Sequence, residues 1–181
     1  MPMREWVHIA YVRASNVVNV YQNGVKITSD ISDSTNYTTT TFNIGKYYSD
    51  NFGMDGYISN FRVVKGTAVY TSNFSPPTEP LTAITNTTLL LFNTPYQKDV
   101  SSTNASLLCY GNLKAIPFSP YDSLTQYDSA IHGGSIDVVA SGAVVVATNS
   151  ADFTLGSDDF TFEFWSYRTA DAGVDYRAIV G

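Results

Sequence analysis

The run over residues 6–24, WVHIAYVRASNVVNVYQNG, constrains this chain more than any other. It holds two strand-like stretches and an Asn23-Gly24 turn, and a third short run, VKI, follows. A two-residue hairpin turn of type I′ needs positive φ at both central positions, which Asn and Gly tolerate and most residues do not. Apolar and polar residues alternate on either side of that turn, the pattern of a half-buried strand. No long window shows helical periodicity.

The rest of the first half reads as a meander. Thr40, Thr41, Phe42, Asn43, Ile44 and Gly45 form a short strand, followed by a turn region rich in Gly, Asp and Asn through Gly53. GYISNFRVVK, from Gly56, is a longer strand whose apolar positions change phase near Asn60, as a bulge would cause. Pro76, Pro77 and Pro80 cannot feed a central strand, so a unit boundary is expected near 78–86. The second half begins with an apolar run, Thr88 to Phe92, consistent with a buried strand. A loop over 117–130 rich in Pro, Ser, Tyr and Asp follows. Further strands are expected over 136–139 and 143–147, and at Phe160-Thr161-Phe162-Glu163-Phe164-Trp165.

Composition excludes several classes. Aromatics make up 14% of the 181 residues and charges only 14%, with a net charge of −6 and no Lys/Arg cluster. Nucleic-acid binding through phosphate neutralisation is therefore not expected. No apolar run approaches the roughly 18 residues of a membrane span, and PMREWVHIAYV lacks the continuous apolar stretch of a signal peptide. A single cysteine, Cys109, excludes an intrachain disulfide framework and zinc-ribbon spacing. Its neighbours Leu107, Leu108 and Tyr110 point to a buried strand residue.

W-x-H-x-A-x-x-R followed by V-x-V-Y-x-N-G resembles the centre of a laminin-G-like, concanavalin A-like jelly-roll domain. GYISNFRVVKGTAVYTSNFSPP is similar to the closing strands of that family, as found in tandem arrays of marine phage structural, tail-fibre-like proteins. ADFTLGSDDFTFEFW resembles its opening half. The resemblance implies an all-β sandwich of two antiparallel sheets that holds ligands on its surface and seldom does chemistry. It also implies inverted order: 1–85 as the C-terminal half of one unit, and 86–181 as a connection plus the N-terminal half of the next. One or two central strands are then missing, and the chain reads as a piece of a tandem array. The two halves are expected to pack into one circularly permuted or incomplete sandwich that also self-associates, with a strand-swapped dimer as the rival.

Glycosidases occur among concanavalin-like folds, and retaining hydrolysis needs two carboxylates about 5–5.5 Å apart. On one strand that means acids two or four residues apart. Only Glu5, Glu79 and Glu163 exist, and Glu163 is followed by Phe164, Trp165, Ser166 and Tyr167. Asp158-Asp159 reads as a turn pair that caps backbone amides. No catalytic residue is assigned, and no enzyme activity is expected. His8, between Val7 and Ile9, is expected to be a hydrogen-bonded structural residue, and His132 has no partner set for catalysis. Asp50, Asn51 and Asp55 cluster in YYSDNFGMDG, and Asp30 with Asp33 lies near the hairpin end; without D-x-D-x-D-G spacing these read as turn formers, with Ca²⁺ as the alternative. No other cofactor is expected.

Alternation puts Phe160, Phe162 and Phe164 on one face, which must be core, and Thr161, Glu163, Trp165 and Tyr167 on the other. A carboxylate beside aromatic rings suits a sugar, so Glu163, Trp165 and Tyr167 are the candidate ligand residues. The alternative is that Trp165 packs against a neighbouring strand or loop. The expected role is a non-catalytic module for cell-surface glycan attachment, on a virion surface or outside the cell. A structural spacer of a virion or adhesin is the alternative, with a glycoside hydrolase third.

Overall fold

The computed structural model describes residues 2–45, 54–121, 126–138, 143–148 and 150–170. The strands in chain order begin with β1 (Trp6–Ala14), β2 (Val17–Gln22), β3 (Val25–Lys26), β4 (Ile31–Ser32), β5 (Phe42–Ile44) and β6 (Gly56–Lys65). They continue with β7 (Thr87–Leu91), β8 (Leu107–Tyr110), β9 (Lys114–Ile116), β10 (Ser135–Asp137), β11 (Val144–Ala147) and β12 (Phe160–Arg168). The helical content described is one turn, α1 (Ser129–His132), and a 3₁₀ turn at Ala151–Phe153.

Gln22 pairs with Val25 across the expected turn, and Asn23 and Gly24 sit at φ 49° and 76°, as type I′ demands. Ser15 and Asn16, at φ 50° and 63°, make a second two-residue turn between β1 and β2 without any glycine. The Asp159 carboxylate accepts the Ser15 backbone N–H at 2.7 Å, the capping role expected of that turn pair.

Two antiparallel sheets result. The larger has nine strands in the order β3-β2-β1-β12-β6-β10-β9, with β4 on β2 and β7 on β6; the smaller runs β5-β11-β8. β10 and β7 lie in tandem along one edge of β6, opposite Tyr57–Ile58 and Phe61–Val64 respectively. Between them Asn60 takes φ 52°, and the β6–β12 register slips there, two β6 residues standing against Phe164 alone. This is the bulge expected from the phase change.

The core fills the space between the sheets. Phe160, Phe162 and Phe164 of β12 meet Phe61 and Val63 of β6, Leu89 and Leu91 of β7, and Phe42, Ile44 and Val145 of the smaller sheet. The fold is therefore all-β, a concanavalin A-like jelly-roll sandwich. β12 lies between β1 and β6, paired with both, so residues from before and after position 85 alternate within one sheet. Arg13, fully buried, adds a further tie: it donates to the carbonyls of Thr35, Gly156 and Asp158 and lies 4.8 Å over the Phe160 ring.

Cys109 corrects an expectation. It does lie on a strand, but β8 is the edge of the smaller sheet, and Leu108, Cys109 and Tyr110 are exposed there. An apolar run shows that a segment can be buried; its place at a sheet edge decides whether it is.

Candidate functional site

The outer face of the larger sheet, turned away from the core, carries His8, Ala10 and Val12 from β1, Thr161, Glu163 and Trp165 from β12, and Arg62 from β6. Register fixes this grouping, since Ala10 stands opposite Glu163, His8 opposite Trp165 and Arg62 opposite Glu163. The segment over 66–82 crosses this face as a strap. Ala68, Tyr70 and Phe74 pack on Ala10, Val12 and Tyr21, and the Tyr70 and Phe74 rings stack with centroids 3.6 Å apart.

Glu163 anchors the strap. Its side chain is completely buried; Oε1 accepts the Nε–H of Arg62 at 2.8 Å and a second guanidinium N–H from Nη2. Oε2 accepts the Tyr70 hydroxyl at 2.8 Å and stands 3.3 Å from Nε2 of His8. The His8 contact is an electrostatic one, since its ring N–H is not aligned for a linear hydrogen bond. Burial pushes the Glu163 carboxyl up, but His8, the Arg62 charge and Tyr70 outweigh it and hold the group below its ordinary value. Burial and the Glu163 charge push the Tyr70 phenol far up, so it stays a donor.

Backbone and side-chain bonds complete the docking. The Thr161 hydroxyl accepts from the Val69 N–H at 2.9 Å and donates to the Thr67 carbonyl at 3.0 Å. The Phe74 N–H bonds the Gly24 carbonyl at 2.9 Å, so the hairpin turn itself seats the strap. At the far end Arg62 Nη1 donates to the Thr82 carbonyl at 2.8 Å, and Asn60, left at the bulge, accepts the Leu81 N–H at 2.6 Å. Arg62 and Glu163 thus bind each other while Arg62 holds the Thr82 carbonyl and Glu163 holds Tyr70, so the pair clasps both ends of the strap to the sheet.

Where the strap turns off the sheet, a cleft of about 620 Å³ opens. Trp165 lies at it, partly exposed, between Pro76, Pro77 and Glu79 of the strap and Pro120, Tyr121 and His132 of the later loops. Tyr121 meets Trp165 edge-on with centroids 6.1 Å apart. Among the described residues neither the Tyr121 hydroxyl nor the Trp165 indole N–H has a partner in hydrogen-bond geometry. His132 accepts the Asp128 backbone N–H on Nδ1 at 2.8 Å, so its neutral ring carries its proton on Nε2.

The three candidate ligand residues separate. Trp165 lines the cleft; Glu163 lies enclosed beneath the strap; Tyr167 packs in an aromatic group with Trp6, Tyr57 and Phe118, at centroid distances of 5.4, 5.9 and 4.9 Å. His8 sits in the clasp as a buried structural residue. Of the candidate metal ligands, Asp50 and Asn51 lie outside the described residues, and Asp55 precedes β6, its carbonyl accepting the Thr169 N–H at 3.0 Å. No group of three or more His, Cys, Asp or Glu side chains suited to a metal occurs among the described residues. Sequence reasoning missed Arg62, Tyr70, Tyr121 and the cleft-lining position of His132. Arg62 did leave a signal: a charge between Phe61 and Val63 in an apolar strand implies a buried partner. The strap and loops that bring Tyr121 and His132 to Trp165 carry no periodicity to read.

No curated protein and no solved structure matches the chain. Residues 1–69 match the family model described as the concanavalin A-like lectin/glucanases superfamily, a laminin-G-type model, in agreement with the sandwich seen here.

Proposed function

We propose that this chain is a non-catalytic carbohydrate-binding module and that the cleft at Trp165 is its ligand site. The observation that carries the reading is a partly exposed indole in a cleft on the outer face, with Tyr121, His132 and Glu79 around it. Sugar rings pack their C–H faces on aromatic rings while polar groups at the rim take hydroxyls, the make-up of small-molecule sites generally. The family likeness supports a carbohydrate-binding or structural module. Glu163 contributes as a positioning residue, since it holds Tyr70 and through it the strap, whose Pro76, Pro77 and Glu79 form one wall. Attachment to a cell-surface glycan from a virion or other extracellular surface is the setting that the phage-like closing strands favour.

Hydrolysis is not part of this reading. Both Glu163 oxygens are engaged and buried, and the same-face neighbours on β12 are Thr161 and Trp165, so that strand offers no second carboxylate. The reading calls for no metal, and chelation of Ca²⁺ should leave binding unchanged. The test is a glycan array followed by calorimetry: Trp165→Ala should weaken binding by about 2 kcal/mol or more, with the circular dichroism spectrum retained. A second reading, a ligand-free spacer, draws on the strap, which packs over Ala10, Val12 and Tyr21 and encloses Glu163 on that face. Absence of binding to any arrayed glycan would favour it.

A further inference from the structure

The charges around the cleft go beyond the presence of a site to the class of sugar it takes. Glu79 brings an exposed carboxylate to the rim, and no Lys or Arg lines the cleft among the described residues. Asp128, whose backbone N–H bonds His132, adds a second acidic residue to the segment that brings His132 to the cleft, its exposed carboxylate accepting the Ala130 N–H at 2.8 Å. The Arg62 guanidinium on the same face is already neutralised: Nε and Nη2 go to Glu163 and Nη1 to the Thr82 carbonyl, and the group is buried. Among the described residues an incoming anion therefore finds no cation lining the cleft, meets the Glu79 carboxylate at the rim, and approaches a chain of net charge −6. A neutral sugar finds Trp165 for its C–H face, the Nε2–H of His132 as a donor and Glu79 as an acceptor.

We infer that the cleft takes uncharged sugar rings and rejects glycans bearing sialate, uronate or sulfate. The inference rests on the carbohydrate-binding reading above. Discrimination of this kind comes from the repulsive element as much as from new contacts. Like charges brought together at a binding surface suppress the wrong partner.

The experiment uses the full chain and matched probes, each a neutral oligosaccharide and its acidic counterpart, such as lactose with sialyllactose and with sulfated lactose, alongside a broad neutral array. Titrations are read by indole fluorescence and calorimetry at low and high salt. The neutral member should bind at least roughly tenfold more tightly than its acidic counterpart at low salt. High salt should narrow that gap by screening. Glu79→Gln, at an exposed position where folding is not at risk, removes the charge and should narrow the gap too. Equal or tighter binding of the acidic member would overturn the inference and leave the carbohydrate reading standing. So would a gap that neither salt nor Glu79→Gln changes. No binding of any glycan, neutral or acidic, would overturn both.

Discussion

Glu163 shows how one residue type changes meaning with its surroundings. On an open strand face it would be a hydroxyl acceptor; beneath the strap it is half of a buried ion pair with Arg62. Removing one partner of such a pair strands a charge away from water, which costs about 3–5 kcal/mol. Arg62→Met should therefore lower the unfolding free energy read from urea titration by that order, and Arg62→Met with Glu163→Leu should recover much of the loss, because the pair's attraction is offset by its own desolvation. Acid should act at the same place. The folded Glu163 carboxyl lies below its ordinary value, so its contribution is complete above the unfolded carboxylate pKa of about 4.3 and is lost as pH falls through the folded value. A plot of stability against pH should decline on that acid limb in the parent protein. The decline should be smaller in the Arg62→Met, Glu163→Leu variant; identical acid limbs would remove Glu163 from the account.

Among the elements, the hairpin turn does two jobs. Asn23 and Gly24 reverse the chain, and the Gly24 carbonyl then receives the Phe74 N–H of the strap. A Cβ at position 24 would overlap the Phe74 carbonyl, whereas at Gly66, with a similar φ of 71°, it would meet nothing within 4 Å. Left-handed backbone alone costs a non-glycine residue about 1–2 kcal/mol. Gly66→Ala should show that cost and no more, while Gly24→Ala should exceed it and also raise amide exchange over residues 68–74. Equal losses for both variants would mean that the turn does not seat the strap. The turn was legible because its chemistry is local. The bulge in β6 was legible for the same reason, through the phase of its apolar positions. Ser15-Asn16 escaped notice because Asn takes positive φ less distinctively than an Asn-Gly pair.

For the whole molecule, the consequence of the topology is interdependence. β12 pairs with β1 on one side and β6 on the other, and β11 pairs with β5. Fragments 1–85 and 86–181 each leave strand edges unpaired and part of the Phe160–Phe164 core face uncovered, a liability folded chains avoid. Neither should give a β-sheet spectrum with a sigmoidal melt alone, and mixing them should restore both. The intact chain should unfold in one transition, with fluorescence and far-ultraviolet dichroism coincident. A native-like melt from either fragment alone would show that the halves fold independently.

The amino-acid order by itself determined the class of fold, the hairpin, the bulge and the face of β12 that is core. Each of these is written in spacing: period two along a strand and turn residues at fixed positions. Only the tertiary structure decided which parts of the outer face meet solvent. Alternation places Glu163, Trp165 and Tyr167 together, yet the strap seals the first, the cleft admits the second, and Trp6, Tyr57 and Phe118 pack around the third. Cys109 follows the same logic in reverse, an apolar strand left exposed because it falls at a sheet edge. Exposure depends on what lies across the face, and those groups come from residues far away along the chain, so no local pattern records it.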